Sequence, residues 1–353
     1  MKFYDREEDV RRMKAVLSGD PNLVYFVYGP INSGKTALLV KVARELPEEY
    51  VVFYINFRGF EGGYSKFTRA FFELGDKGLW EKLKEKMPVV SAAIEYVEKV
   101  AKKINTAIEL PGEVIRMLQV GGDDPEKIDL FHYLEKLMKR FTERSRRPVL
   151  ILDELQVLKD EINASGKPLL GKLFNFMVRL TKETHLCHVL CATSDSLFIE
   201  DVYNNARLEG RARYILVDDL SKESAFRIYE EFGFEDKELV WEYIGGKIGD
   251  MVILFEEKKQ GYSEKEALER MLRDEVARFK WLKAKLLREE RGNKERLLDL
   301  LKRFKDKEEE SVSEENFEEL TYWIRENALF YDPARGVVKP QSRLIWRAIR
   351  EVL

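Results

Sequence analysis

Apolar residues in this chain alternate between two regimes, helical repeats and short unbroken runs. Val10, Met13 and Leu17 recur on one helical face over residues 5–18, with Asp5 available as N-cap and Ser18-Gly19-Asp20-Pro21 as the stop. Leu23 to Tyr28 is a β-branched and aromatic run, the pattern of a parallel strand buried on both faces, and a glycine-bounded turn follows at Gly29 to Gly34. Lys35 to Leu46 returns to helical spacing, and Val51 to Asn56 reads as a second buried strand. Residues 64–147 carry Trp80, Val89, Ile94, Val97, Ile104, Ile115 and Leu118 at helical spacing, break at Gly121-Gly122, and are read as a helical insertion.

The strand regime then resumes. Pro148 to Asp153 is a third buried strand, Leu169 to Leu180 a helix, Leu186 to Thr193 a fourth strand and Tyr214 to Val217 a fifth. Strands alternating with helices predict an α/β domain whose parallel five-stranded sheet is covered on both faces. From Ser221 the pattern is almost wholly helical until Leu329 to Tyr331 and Val337-Val338, two short strands around a turn, which sit behind a helix-like segment at Glu315 to Asn327. The charged stretches Lys302 to Glu310 and Glu314 to Glu319 read as a solvated helix face and loop.

Length and charge narrow the class. The chain has 353 residues, room for two or three domains. Lys+Arg 61 against Asp+Glu 64 leaves a net charge of -3, which excludes a uniformly basic nucleic-acid coat and a polyacidic tail. A hydrophobic content of 44% suffices for real cores and argues against intrinsic disorder. Cys 2 cannot build a disulfide framework, and the N-terminal segment lacks a signal-peptide apolar core. No apolar run approaches the ~20 residues that cross a bilayer. A cytoplasmic protein without a membrane-spanning segment is expected.

The strongest chemical signal is Gly29-Pro30-Ile31-Asn32-Ser33-Gly34-Lys35-Thr36, the G-x-x-x-x-G-K-[ST] spacing of a P-loop between a strand and a helix. The glycines let backbone N–H groups converge on phosphate oxygens, and the helix N-terminus, running on into Ala37, adds its partial positive charge. Lys35 then neutralises the β- and γ-phosphates of ATP, and Thr36 offers a hydroxyl to Mg²⁺. A second carboxylate site is expected at the end of another buried strand, and Val149 to Leu152 lead directly into Asp153, a candidate for the metal's water shell. Glu154 follows at once, placed to polarise a water for in-line attack.

Weaker candidates surround this pair. Asn56 ends the second strand and could hold Glu154 by a hydrogen bond, or merely satisfy a turn. Thr193 and Ser194 end the fourth strand, where a hydroxyl could sense the γ-phosphate or orient water. Arg207, Arg211 and Arg213 precede the fifth strand, and Arg211 is the favoured one for stabilising transition-state charge, in its own subunit or across an interface. The cluster His185, Cys187, His188 and Cys191 is rejected as a zinc site. On a strand rising ~3.3 Å per residue the two cysteines lie about 13 Å apart, beyond the reach of one ion with bonds of ~2.0–2.3 Å.

Together these residues resemble the archaeal ATPase family in the STAND branch of P-loop NTPases, akin to AAA+ proteins and the Orc/Cdc6 group. Phe3-Tyr4-Asp5-Arg6-Glu7 is similar to that family's N-terminal signature, which implies that Arg6 lies near the nucleotide base. Gly29 to Thr36 matches Walker A, Asp153-Glu154-Leu155-Gln156 the Walker B form, Gly210-Arg211 the Gly-Arg before the last core strand, and Leu329 to Gln341 the end of a winged-helix domain. Gly245-Gly246-Lys247-Ile248 departs from the family's Gly-Gly-x-Pro, and Thr193-Ser194 stands where Gly-Ser is frequent. The resemblance implies an ATPase core over 1–220 with its helical insertion, a helical lid over 221–285 and a winged helix over 286–353.

Two functions fit, both using ATP and Mg²⁺. One is a nucleotide-gated switch that signals to a protein partner or within a homo-oligomer. The other is a DNA-dependent ATPase, favoured by Arg335, Lys339, Arg343, Arg347 and Arg350, five basic residues over 335–350 with Arg343, Arg347 and Arg350 on one helical face. Residues 274–307 add a second basic segment. The alternative is that these arginines pair with the acid-rich stretch 308–319. A metabolite kinase fits poorly, because no acceptor pocket is evident and paired carboxylates favour hydrolysis.

Overall fold

The structure, a computed structural model, describes residues 6–58, 130–159, 169–288 and 293–353. Residues 64–129 of the expected insertion and Phe3 to Asp5 lie outside the described residues. The first half contains α1 (Glu7–Ser18), β1 (Val24–Tyr28), α2 (Lys35–Glu45), β2 (Tyr50–Asn56), α3 (Leu130–Glu143), β3 (Arg147–Asp153), α4 (Leu169–Val178), β4 (His188–Thr193), α5 (Ser196–Tyr203) and β5 (Ala212–Leu216). The second half contains α6 (Lys222–Glu231), α7 (Lys237–Ile244), α8 (Ile248–Lys259), α9 (Glu264–Arg288), α10 (Lys294–Arg303), β6 (Glu310–Ser311), α11 (Phe317–Arg325), β7 (Leu329–Asp332), β8 (Val337–Pro340) and α12 (Arg343–Val352).

The five expected strands form one parallel sheet in the order β2-β3-β4-β1-β5. Successive side chains on each strand point to opposite faces, so the apolar runs feed two cores. On one face Val27, Val149, Ile151 and Leu190 pack with Val10, Met13 and Leu17 of α1 and Leu38, Leu39 and Val42 of α2. On the other, Phe26, Leu150, Leu152 and Val189 meet Leu134, Leu137 and Phe141 of α3, Phe174 and Met177 of α4, and Phe198 and Val202 of α5. The fourth strand starts at His188 and not at Leu186, because α4 runs on through a wide turn at Arg179–Glu183 and His185 adopts a left-handed φ of 52°. The order places β4 between the P-loop strand β1 and the carboxylate strand β3, and the register pairs Tyr28 with Thr193 and Asn56 with Asp153. The Walker A turn, Asp153 and Thr193 therefore share one edge of the sheet.

The second half has one continuous apolar cluster running from Leu220 to Ile349. In it Phe279, Leu282 and Leu286 of α9 pack with Leu344, Ile345, Ala348 and Ile349 of α12. The division expected at 285/286 is thus not a boundary between two cores, since α9 crosses it. The terminal hairpin forms as expected, pairing Asp332 with Val337, and gains a third strand, order β6-β8-β7. That strand is only Glu310–Ser311, in the charged stretch read as helix face and loop, too short and too polar to announce itself.

Candidate nucleotide site

The loop after β1 is set by its backbone. Gly34 has φ 95°, a left-handed conformation that side chains with a Cβ rarely adopt, and it turns the chain into α2 so that the first N–H groups of the helix face the loop. Lys35 is buried and folds back on the loop, donating to the carbonyls of Gly29 at 3.0 Å and Pro30 at 2.8 Å. Burial pushes its pKa down to about 8, and the nearby Lys247 ammonium pushes in the same direction. Arg6, also buried, ties the loop from the other side, donating to the Ser33 carbonyl at 2.6 Å and the Asp218 carbonyl at 2.5 Å.

At the end of β3 the Asp153 carboxylate is buried at 2% exposure. Its Oδ2 accepts from Thr36 Oγ1 at 2.7 Å, Tyr54 Oη at 2.6 Å and Asn56 Nδ2 at 3.4 Å. A hydroxyl and a carboxylate in direct contact are hard oxygen donors of the kind Mg²⁺ takes with substrate phosphates. Glu154 sits in a left-handed conformation, φ 57°, a strained geometry worth of order 1–3 kcal/mol for a residue with a side chain. That turn aims its carboxylate across the sheet edge. Oε1 pairs with Arg58 Nη2 at 2.5 Å, while Oε2 accepts from Gln156 Nε2 at 2.6 Å and Ser194 Oγ at 3.3 Å. Thr193 Oγ1 donates to Gln156 Oε1 at 2.7 Å, so a chain Thr193–Gln156–Glu154 crosses from β4 to β3.

Three expectations change on this geometry. Asn56 does not hold Glu154: its amide reaches Asp153, its oxygen accepts from the Arg58 backbone N–H at 2.8 Å, and Arg58 makes the ion pair. Thr193 addresses Glu154 through Gln156, whereas Ser194 touches Glu154 directly. Arg211 lies at the wrong end of the strands. Its carbonyl accepts from Val24 N at 3.0 Å, at the start of β1, and the P-loop leaves β1 after Tyr28, about 13 Å further at ~3.3 Å per residue. Its guanidinium donates to the Arg207 carbonyl at 3.1 Å, so it takes no part in its own subunit's site.

Comparison with known proteins agrees with this arrangement. Residues 3–254 match the ATPase domain predominantly from Archaea, and residues 265–353 match the C-terminal domain of the uncharacterized ATP-binding proteins like MJ1010. The chain belongs to this archaeal ATPase family. An ATP-binding protein of Methanocaldococcus jannaschii is 36% identical over 367 residues, covering 100% of this chain and 99% of its own length. Another from Pyrococcus horikoshii is 38% identical over 355 residues, with 99% of each chain covered. A Walker-type ATPase of Pyrococcus abyssi superposes at a TM-score of 0.61 over 99% of this chain and 96% of its own, at 16% identity, a likeness of fold alone.

In this member of the archaeal ATPase family, both neighbours of the sheet domain grip the P-loop itself. Lys247, its side chain 4% exposed, donates to the Ile31 carbonyl at 3.1 Å and pairs with Asp219 at 2.9 Å. The Ile31 N–H in turn donates to Gln341 Oε1 at 3.2 Å. Ile248, standing where the family's proline would be, packs towards Gly34. Tyr28 Oη donates to Asp332 Oδ1 at 2.7 Å in a buried contact, and Lys339 pairs with Asp218 at 2.5 Å. Sequence reasoning assigned no role to Arg58, Tyr54 or Lys247. Gln156 and Gln341 entered it only as letters of a resemblance.

The expected basic face over 335–350 does not stand free. Arg335 forms a two-pronged pair with Glu309 at 2.8 and 2.6 Å, the one arginine of the set that binds the acid-rich stretch. Arg343 lies over the rings of Trp241 and Trp346 at 5.5 and 5.8 Å, and Arg347 over Tyr243 at 4.0 Å. Arg350 is exposed and lies 5.1 Å from the Trp346 ring. Cation–π contacts of this kind turn α12 towards α7. Among the described residues no helix is long and apolar enough to cross a membrane.

Proposed function

We propose that the chain binds ATP with Mg²⁺, hydrolyses it, and works as a nucleotide-dependent switch. The observation that carries this reading is the backbone of Ile31, whose carbonyl accepts from Lys247 of the lid and whose N–H donates to Gln341 of the C-terminal domain. Phosphate oxygens recruit the backbone N–H groups of such a loop, so a nucleotide at Gly29 to Ala37 competes with these contacts and alters how both neighbours sit. Thr36 and Asp153 would hold Mg²⁺, which supplies charge neutralisation at the phosphates. Lys35 leaves the Gly29 and Pro30 carbonyls for the phosphates, Arg6 borders the base side, and Glu154 accepts a proton from the attacking water once Arg58 releases it.

The strand order β6-β8-β7 around α11 supports a winged-helix reading of the C-terminal domain. Because Arg335, Lys339, Arg343 and Arg347 are engaged inside the chain, the signalling reading, in which this domain acts on a protein, is favoured over a duplex gripped by α12. The test is ATP binding and turnover by Lys35→Ala and Glu154→Gln. Lys35→Ala should lose nucleotide affinity, and Glu154→Gln should bind ATP and fail to turn it over. Undiminished binding by the first would remove the nucleotide site, and retained turnover by the second would remove Glu154 as the base.

A further inference from the structure

The outer face of α9 carries the most exposed large hydrophobic side chain among the described residues. Phe279, Leu282 and Leu286 fill the apolar cluster, yet Trp281 points outward at 62% exposure. Its neighbours one turn away on either side are Ala277 and Ala284, both exposed and too small to cover an indole, while Lys285 lies 5.7 Å from the ring and is tied to Glu326 at 2.7 Å. Arg273, Lys280 and Arg288 share this exposed side. They make no ion pair or hydrogen bond among the described residues, unlike Arg270 and Arg278, which pair with Glu257 and Glu275. Asp274 is the one exposed anion between them. At 1.5 Å per residue the three cations span about 22 Å with the indole between the second and third.

We propose that this face binds single-stranded nucleic acid, with a base stacked on Trp281 and phosphates on Arg273, Lys280 and Arg288. An exposed large aromatic between unpaired cations combines the two elements that sequence-independent single-strand binding requires, a stacking platform and a charged track. A second copy of the chain is a poor occupant, because a two-fold pairing would set the same three cations against each other. The face is separate from the nucleotide site and from the arginines of α12, so the inference stands whether or not the ATPase reading does.

The probe is a fluorescently labelled oligothymidylate of about twenty nucleotides, titrated into the full chain by anisotropy over a salt series. Three phosphate contacts predict a slope of log affinity against log salt near -2, since each contact on a single strand contributes about -0.7. Trp281→Ala should weaken binding roughly 5- to 150-fold at every salt concentration with the slope unchanged, and Trp281→Phe should restore most of it. Arg273→Ala, Lys280→Ala and Arg288→Ala should each make the slope shallower by about 0.7. All these residues are exposed, and unchanged melting temperatures will show that the variants fold. Absence of oligothymidylate binding, indifference to Trp281→Ala, or equal competition by polyglutamate would overturn the proposal, the last pointing to an acidic protein.

Discussion

A single methyl group tests whether the lid bears on the P-loop. Gly249 lies in the first turn of α8, and a Cβ built there would stand 2.7 Å from Asn32 Cβ and 3.2 Å from its Nδ2. The nearer atom is fixed to the backbone of a loop residue with φ 60°, so no side-chain rotation relieves the contact. The lid must retreat by roughly 0.7 Å or more to reach ordinary contact, and overpacking of that kind costs about 1–3 kcal/mol. Replacing a helical glycine by alanine contributes the opposite sign, about 0.5–1 kcal/mol of stabilisation. The clash should win by about 1–2 kcal/mol. The loss falls on the Lys247–Ile31 contact and the packing of Ile248 on Gly34, contacts that compete with phosphate for the loop, so Gly249→Ala should tighten ATP binding about 5- to 30-fold, measured by calorimetric titration. Gly171 in α4 is the control, because its added Cβ would meet only the flexible end of Arg207 at 3.7 Å, and Gly171→Ala should raise stability in urea unfolding. If Gly249→Ala behaves like Gly171→Ala, more stable and with unchanged nucleotide affinity, the lid does not press on the loop.

Three further outcomes follow from individual contacts. Arg58→Ala frees the Glu154 carboxylate; with Arg58 73% exposed the stability change should stay below about 1 kcal/mol, while basal ATP turnover rises, and an unchanged or lower rate would show that Arg58 does not restrain the base. Tyr28→Phe leaves the buried Asp332 carboxylate with the Ala334 N–H as its donor at 3.1 Å, a loss of about 1.5–3 kcal/mol in urea unfolding together with faster proteolysis between the halves. Asp250, buried beside Lys247, Asp219 and Glu275, has its pKa pushed up to about 7 by burial, so the folded state binds an extra proton between pH ~4 and ~7 and wild-type stability falls across that window. Asp250→Asn lacks this dependence. Its stability relative to wild type should climb from near zero at pH 4 towards on the order of 4 kcal/mol at pH 8, and a flat difference would mean the carboxyl titrates normally.

What could be read from the sequence follows from range. The strands β1 to β5 announce themselves because each is a run of apolar residues buried on both faces, and Gly34, Lys35, Thr36 and Asp153 because their chemistry demands fixed residue types next to a strand end. Glu154 stands at that edge, but of the two roles open to Asn56 it takes the turn, its oxygen accepting from the Arg58 N–H, and Arg58, with the longer reach and the opposite charge, pairs with Glu154. Arg211 was misplaced for a different reason. Sequence position says that a residue precedes a strand, and in a parallel sheet that is the edge away from the site. The basic residues of α12 formed a convincing helical stripe, yet periodicity cannot tell solvent from an aromatic partner contributed by Trp241 and Tyr243, some hundred residues earlier.

Ile31 explains why the missed residues matter most to a switch. A ligand shifts a conformational equilibrium only by its differential interaction with the two states, and contacts made by the binding loop itself provide that difference directly. The Lys247 and Gln341 hydrogen bonds are each worth about 0.5–1.5 kcal/mol net, somewhat more where the charged lysine donates. Together they permit a coupling of about 1–3 kcal/mol between phosphate binding and the seating of the two neighbours, the size usual for allosteric linkage. The lid and the C-terminal domain share one apolar cluster, so they respond as a unit, and the Tyr28–Asp332 and Lys339–Asp218 contacts flank the same loop. Under the proposed switch, nucleotide bound at the loop would reach α9 and α12 through Ile31 without any long chain of intermediates.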